Sequence, residues 1–256
     1  MSNLDSTDRF SHRVDDYVRY RPDYPEQLLE WLKGEHGVNT DWLVADIGAG
    51  TGISTRYFLD AGFDVVAVEP NVAMRTSCEK WLGEETKLRI VDGKAEQTTL
   101  DDDSVDLIAA AQAFHWFNVN TIKTEWARIL RPRGLAAVYW NTRRLEGSQF
   151  LEGYEELLLE YCDDYSTIAE RYADDATMQA WFGQGFRGMA SFPHSQMLDY
   201  KALRGRLMSC SYAPRRGDPM HEPMLEALQE LFATCEDDDV ISFDYDTRAF
   251  VGSMVA

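Results

Sequence analysis

The seven residues Asp46-Ile47-Gly48-Ala49-Gly50-Thr51-Gly52 constrain this chain more than any other stretch. An apolar run, WLVADIG over 42–48, leads in, and an amphipathic run opening at Ile53 leads out. That order reads as strand, tight turn, helix. Glycines let a backbone turn sharply and come close to a ligand, and the amides that open the next helix point at whatever lies above them. Glycine-rich strand ends also arise for packing alone, so the turn needs a second signal. Glu69 supplies it. It ends the next apolar run, DVVAVEP over 64–70, 21 positions after Gly48. An acid at the tip of the neighbouring strand can accept hydrogen bonds from both hydroxyls of a ribose.

The alternation continues. After a helix over 25–36 with Pro25 in its first turn, strands are predicted at 42–48, 64–70, 87–93, 104–111 and 135–141. Amphipathic stretches separate them, including 120–134, closed by a basic, proline-containing turn. Apolar strands alternating with helices predict an α/β fold: a doubly wound, Rossmann-like, mostly parallel seven-stranded sheet. The second half reads differently. Residues 146–186 read as helical and rich in aromatics, 191–198 as a strand, 200–210 and 219–235 as helices, and 240–253 as an antiparallel closing strand. The expected organisation is one domain over 1–256. It has a helical lid (1–40), a ligand-binding core (41–141), a helical cap insertion (142–190) and closing strands and helices (191–256).

Charge narrows the partners. Against 25 Lys and Arg stand 44 Asp and Glu, a formal charge of −19. Such a field repels nucleic acid backbones and anionic lipid surfaces, so no nucleic acid and no membrane partner is expected, while a local basic pocket stays open. The cysteines at 78, 162, 210 and 235 form no CxxC pair, and reduced thiols in a cytoplasmic protein are expected. The N-terminal MSNLDSTDRFSHRVDD lacks a basic-then-apolar signal pattern. No cluster of acids near the strand ends reads as a metal site, and CEDDD (235–239) reads as a solvated charge run. Nothing in the sequence specifies an oligomeric state.

The glycine spacing bears on the cofactor. A dinucleotide turn wants a third glycine where this chain has Ile53, and Asp46 would repel a pyrophosphate. An acid-first turn suits a cationic ligand instead. DIGAGTG resembles the first motif of the class I S-adenosylmethionine-dependent methyltransferases. VAVEP, with Glu69, is similar to their ribose-binding strand, and GKAEQ (93–97) to their adenine-side segment. SVDLIAAAQAFHWF (104–117) resembles the strand that leads into the methyl-transfer pocket, and LRPRGLAAVYW (130–140) the helix end, turn and fifth strand. YVRYRPDYP (17–25) and YDTRAFVG (245–252) resemble a subgroup of small-molecule methyltransferases that includes trans-aconitate methyltransferase-like proteins. The resemblance is good over about 10–141 and weak over 142–240, where acceptor identity is expected to be written.

The resemblance implies S-adenosyl-L-methionine as cofactor, held by Tyr17, Arg21, Asp46, Gly48, Ala49, Gly50, Gly52, Glu69, Pro70, Ala95, Glu96, Ala111 and Gln112. Ligands in such sheets lie at the carboxyl edge of the strands. This places His115, Trp116, Trp140, Asn141 and Arg143 in the substrate pocket. His115 is either a wall residue or a general base, the latter only if the acceptor carries a proton. The adjacent Arg143 and Arg144 either bind an acidic acceptor or form a solvated turn. Methyl transfer to a small molecule, at a carboxylate oxygen, is the leading expectation. A nucleotide-dependent oxidoreductase and a non-catalytic S-adenosylmethionine-binding protein are the alternatives.

Overall fold

The computed structural model describes residues 20–163, 165 and 174–254. Seven strands form one sheet: β1 (Leu43–Ile47), β2 (Asp64–Val68), β3 (Leu88–Val91), β4 (Val105–Ala111), β5 (Leu130–Arg143), β6 (Phe186–Leu198) and β7 (Ile241–Gly252). Their order is β3-β2-β1-β4-β5-β7-β6. The first five run parallel, and β7 lies antiparallel to both β5 and β6. The order reverses direction at β1, so the space above β1 and β4 is where such a sheet takes a ligand.

Strand alternation sends consecutive side chains to opposite faces. On one face Ala45, Ile47, Val66, Ile108, Ala136 and Val138 meet Ile122, Trp126 and Ile129 of helix α4 (Ile122–Ile129). Helix α6 (Asp175–Phe182) joins them through Met178 and Phe182. On the other face Val44, Val65, Leu107, Ala137 and Tyr139 meet Leu28 and Leu32 of helix α1 (Glu26–His36) and Phe58 of helix α2 (Ile53–Asp60). Helix α3 (Val72–Leu82) follows β2 and is capped by Asn71, whose side chain accepts from the Met74 amide at 3.0 Å. Trp126 is fully buried, and truncating such a ring to alanine costs about 3–5 kcal/mol.

A second core lies beyond the end of β5. Phe150, Tyr154 and Leu158 of α5 (Gln149–Tyr161) pack with Leu203 and Leu207 of α7 (Tyr200–Met208). Met224 and Leu228 of α8 (His221–Cys235) and Phe243 and Tyr245 of β7 complete it. Helices from both sides of β6 in sequence therefore share one apolar layer.

Three boundaries differ from the sequence reading. The helix expected to run to residue 134 ends at Ile129, and β5 starts at once. Arg131–Gly134 forms an irregularity between the pairs Val105↔Leu130 and Leu107↔Leu135, with Arg133 at φ 74°. The turn is a bulge inside the strand. Residues 146–186 are not one helical stretch. Asp174 caps α6 by accepting from the Thr177 amide at 2.7 Å, and a short 3-10 turn (Gly183–Gly185) follows. Finally, β6 starts at Phe186 rather than 191. It is an edge strand, which is why it tolerates Pro193 and why only alternate residues are partly covered.

Candidate active site

Above the carboxyl ends of β1, β2, β4 and β5 opens a cavity of about 690 Å³. That is the size of a site for one cofactor-sized molecule with room beside it. Its floor is the glycine turn. Gly48 has φ 71°, and a Cβ there would lie 2.8 Å from the Ala113 Cβ and 3.0 Å from the Phe117 ring. The turn and the segment after β4 thus pack too closely for any side chain. Gly52 has φ 98°, and its Cβ would lie 2.8 Å from both Cys78 Sγ and Leu82 Cδ1. Its role is to let α2 close on α3, and it does not line the cavity.

Glu69 closes the turn from the next strand. Its Oε2 accepts from the Gly50 amide at 2.9 Å and its Oε1 from the Asn71 amide at 2.8 Å. Burial pushes this carboxyl above its usual range, while those two amides pull it back down. A carboxylate has about four acceptor positions, so two remain for a ligand. Among the described residues nothing lies within 4 Å of where a Gly50 Cβ would sit. An open backbone and a held acid fit an adenosine-bearing cofactor.

The other expected cofactor residues divide. Ala49, Pro70, Ala95, Glu96, Ala111 and Gln112 all line the cavity. Glu96 Oε1 accepts from the Asn118 amide at 2.8 Å, which fixes the segment on that side. Gln112 sits at φ 55°, a left-handed conformation rare for a side-chain-bearing residue, and its Nε2 donates to the Asn141 carbonyl at 3.3 Å. Asp46 is a correction. It is fully buried beneath the turn, outside the cavity wall, with Oδ2 accepting from Thr55 Oγ1 at 2.6 Å. Burial pushes its carboxyl up to about 6 against the hydrogen bonds from Thr55 and Ser54. It pins α2 to β1. Arg21 lines the cavity, and its Nη2 donates to the Ser209 carbonyl at 3.2 Å, which places it beside α7. Tyr17 lies outside the described residues.

QAFHWF (112–117) leaves β4 as a 3-10 turn over Phe114–Trp116. Phe114 turns into the core against Trp181, with ring centroids 4.8 Å apart, while His115, Trp116 and Phe117 line the cavity. His115 and Trp116 rings lie 4.8 Å apart. On β5, Asn141 faces the cavity. Its Nδ2 donates to the Asp23 carbonyl at 2.9 Å and its Oδ1 accepts from Thr247 at 2.6 Å. Trp140 is the second correction. As the residue before Asn141 it points to the opposite face, 2% exposed and stacked on Phe250 at 5.5 Å. It belongs to the core rather than the pocket.

Arg143 does line the cavity, and it carries partners. Its Nη2 bonds the Glu155 carboxylate and the Tyr165 hydroxyl, and Tyr165 donates to Glu155 at 2.6 Å. Arg144 points away, paired with Asp246 at 2.7 Å. Next to Arg143 stands a cation the sequence reading passed over. Arg206 of α7 is 7% exposed and lines the cavity. Its Nε donates to the Tyr245 hydroxyl at 3.1 Å and its Nη1 to Cys210 Sγ at 3.1 Å. Burial opposes ionisation of that thiol, but the guanidiniums of Arg21 and Arg206 outweigh it and bring it down to about 7. The available signal was an arginine on an apolar helix face, with Leu203 and Leu207 three positions before and one after. Tyr245 likewise follows Ile241 and Phe243 at period two.

Among the described residues no three His, Cys, Asp or Glu side chains are grouped to hold a metal ion, and no helix is long and apolar enough to cross a membrane. No disulfide joins the four cysteines.

Known proteins place this geometry. The family profile described as a methyltransferase domain matches residues 45–138. An uncharacterized methyltransferase of Mycobacterium tuberculosis is 39% identical over 142 residues, 56% of this chain and 56% of its own length. At that level the chain spans about half the length of the curated relatives it matches. An uncharacterized methyltransferase-like protein of Schizosaccharomyces pombe is 29% identical over 251 residues, 94% of this chain and 93% of its own. Among solved structures, a candidate type II methyltransferase from Anaeromyxobacter dehalogenans superposes with a TM-score of 0.68. The two are 20% identical, and the match covers 92% of this chain and 99% of that one. Over 45–138, the stretch that carries the glycine turn, Glu69 and QAFHWF, this chain is similar to S-adenosylmethionine-dependent methyltransferase domains, and its sheet has the fold of solved methyltransferases.

Proposed function

We propose that the protein methylates a small-molecule acceptor at a carboxylate oxygen. One observation carries the reading: a single cavity joins the glycine turn and Glu69 at one end to an arginine-bearing wall at the other. The cofactor side then falls within residues 41–141, and the acceptor side draws on Arg143, Glu155 and Tyr165 together with Arg206 and Tyr245.

When bound, S-adenosyl-L-methionine supplies an electrophilic sulfonium methyl, so that the acceptor oxygen gains a C–O bond as the C–S bond breaks with its electron pair left on sulfur. The residues of the chain bind and orient. Gly48, Gly50 and Glu69 hold the nucleoside side. Gln112, fixed to β5 through the Asn141 carbonyl, holds the passage between the two ends. His115, Trp116 and Phe117 exclude water there. Alignment of this kind contributes about 7–11 kcal/mol to lowering a bimolecular barrier. A carboxylate acceptor has no proton to lose, so the site needs no base.

The test is a thermal shift with S-adenosyl-L-methionine and S-adenosylhomocysteine, then a screen of carboxylic acids for homocysteine formation after hydrolysis of the product nucleoside. Both ligands should raise Tm in proportion to the logarithm of their concentration. Absence of any shift at saturating ligand would overturn the reading.

A further inference from the structure

Arg206 is a guanidinium inside the molecule without a carboxylate. Among the described residues no Asp or Glu lies within ion-pair distance of it, while Arg143, its neighbour along the wall, is bonded to Glu155. Cation and acid are therefore matched at Arg143 and not at Arg206. Cys210 offers at most one negative charge, and two guanidiniums share it, with Arg21 Nη2 at 3.7 Å and Arg206 Nη1 at 3.1 Å. In a chain of charge −19, a buried arginine with no carboxylate among the described residues is a local exception.

The guanidinium is held in one orientation. Tyr245 receives its Nε, and the Tyr245 hydroxyl in turn donates to Gln196 Oε1 at 3.0 Å. Cys210 receives Nη1. The planar group lies over the Phe243 and Tyr245 rings, 5.5 and 5.9 Å from their centroids. Nη2 makes no hydrogen bond to the described residues, and Arg206 forms part of the cavity wall. Tyr245 is the register partner of Arg143 across β5 and β7, so the fixed cation sits at the acceptor end.

A buried cation without its counter-charge is costly, and hydrogen bonds to neutral groups compensate only in part. An anionic ligand completes it. We propose that Arg206, rather than Arg143, binds the acceptor's carboxylate and sets the preference for acids over neutral molecules. Nη2 takes one carboxylate oxygen, and the other keeps its lone pairs for attack on the methyl. This deepens the acceptor reading above and rests on it.

The experiment compares wild type, Arg206→Met and Arg206→Lys. Each is titrated with millimolar benzoate, succinate, glutarate and citrate and with the corresponding neutral amides, by thermal shift and tryptophan fluorescence. Titrations run with and without S-adenosylhomocysteine. Methionine matches the volume of the apolar stem and suits an apolar helix face, so the variant should fold, and an unchanged far-UV spectrum reports that it has. At least one acid should bind wild type more tightly than its amide. Arg206→Met should weaken that acid by about 30-fold or more while leaving the S-adenosylhomocysteine affinity unchanged. Arg206→Lys should recover part of the loss.

Acids that bind no better than their amides, or that bind Arg206→Met as well as wild type, would overturn the proposal. Should Arg206→Met fail to fold, Tyr245→Phe, which frees the guanidinium from its orienting hydroxyl, must weaken the acid selectively or the proposal falls. Failure of S-adenosylhomocysteine to bind would instead sink the methyltransferase reading, and the acid-against-amide comparison on the free protein would still judge Arg206.

Discussion

The Gly50 amide and the Glu69 carboxylate lie 2.9 Å apart across 19 residues of chain. One bond ties the turn after β1 to the tip of β2, and it orients the acid toward the cavity. Glu69→Ala should therefore act on binding and on the turn together. Losing a charge-assisted acceptor for the ribose side costs about 1.5–3 kcal/mol, or roughly 10- to 100-fold in affinity for S-adenosylhomocysteine. Isothermal titration reads it. An unchanged affinity would show that the acid serves the turn alone.

Gly48 makes a sharper test of the floor. A methyl group there would press on Ala113 at 2.8 Å, in a backbone conformation that alanine resists. Gly48→Ala should lower stability by about 1–3 kcal/mol, seen in urea unfolding, and weaken S-adenosylhomocysteine beyond detection by thermal shift. Gly50→Ala gives the contrast. It meets nothing within 4 Å among the described residues, so its stability loss should be the backbone strain alone, while ligand binding still suffers.

The parts of this site that a reader of the sequence can see are those whose physics is local. A glycine turn, an acid one strand away and an apolar run ending in QAFHWF each declare themselves within a few residues, and Gly48–Thr51, Glu69 and all of QAFHWF but Phe114 lie on the cavity wall. Asp46 misleads because charge suggests ligand contact, whereas the strand period buries it under α2. Trp140 misleads for a related reason: the carboxyl end of β5 is the right place, but alternation allows only one of two neighbours to face inward. Glu155 and Arg206 meet Arg143 and Tyr245 only through the packing of α5 and α7 against β5 and β7, with Arg206 and Tyr245 39 residues apart. No local pattern encodes them.

Asp46 makes the stability depend on pH. Burial pushes its carboxyl up to about 6, above the usual carboxylate range. The native state therefore holds the proton more tightly than the unfolded chain. Its contribution is fully present below about pH 4 and is lost as pH rises through 6. The size is on the order of 3 kcal/mol. Asp46→Asn should flatten the stability profile between pH 4 and 7, measured by urea unfolding at each pH. A profile with the same slope in the variant would assign the effect elsewhere.

The Arg143–Glu155–Tyr165 cluster should behave as a structural unit. The side chains of Arg143 and Glu155 are 11% and 21% exposed, so removing the acid strands a mostly desolvated guanidinium. Glu155→Gln should cost about 2 kcal/mol after allowance for residual solvent, a Tm fall of roughly 4–8 °C for a chain of this size. Differential scanning calorimetry reads it. Arg143→Met with Glu155→Leu should restore most of the loss. If the double change stays as unstable as the single one, the pair is not the source.

His115 decides how the acceptor reacts. It lies on the cavity wall beside Trp116, where a base would be useful to a hydroxyl or amine acceptor and idle for a carboxylate. A working general base contributes about 10²–10⁴-fold to the rate. With a carboxylic acid acceptor, His115→Gln should leave kcat within about threefold of wild type, and the rise of kcat with pH through the imidazole range should be absent in both proteins. KM can shift, because the side chain shapes the wall. A fall of kcat by about 100-fold or more, together with loss of a pH limb that wild type shows, would mean that the acceptor delivers a proton to His115 and that the methylated atom is not a carboxylate oxygen.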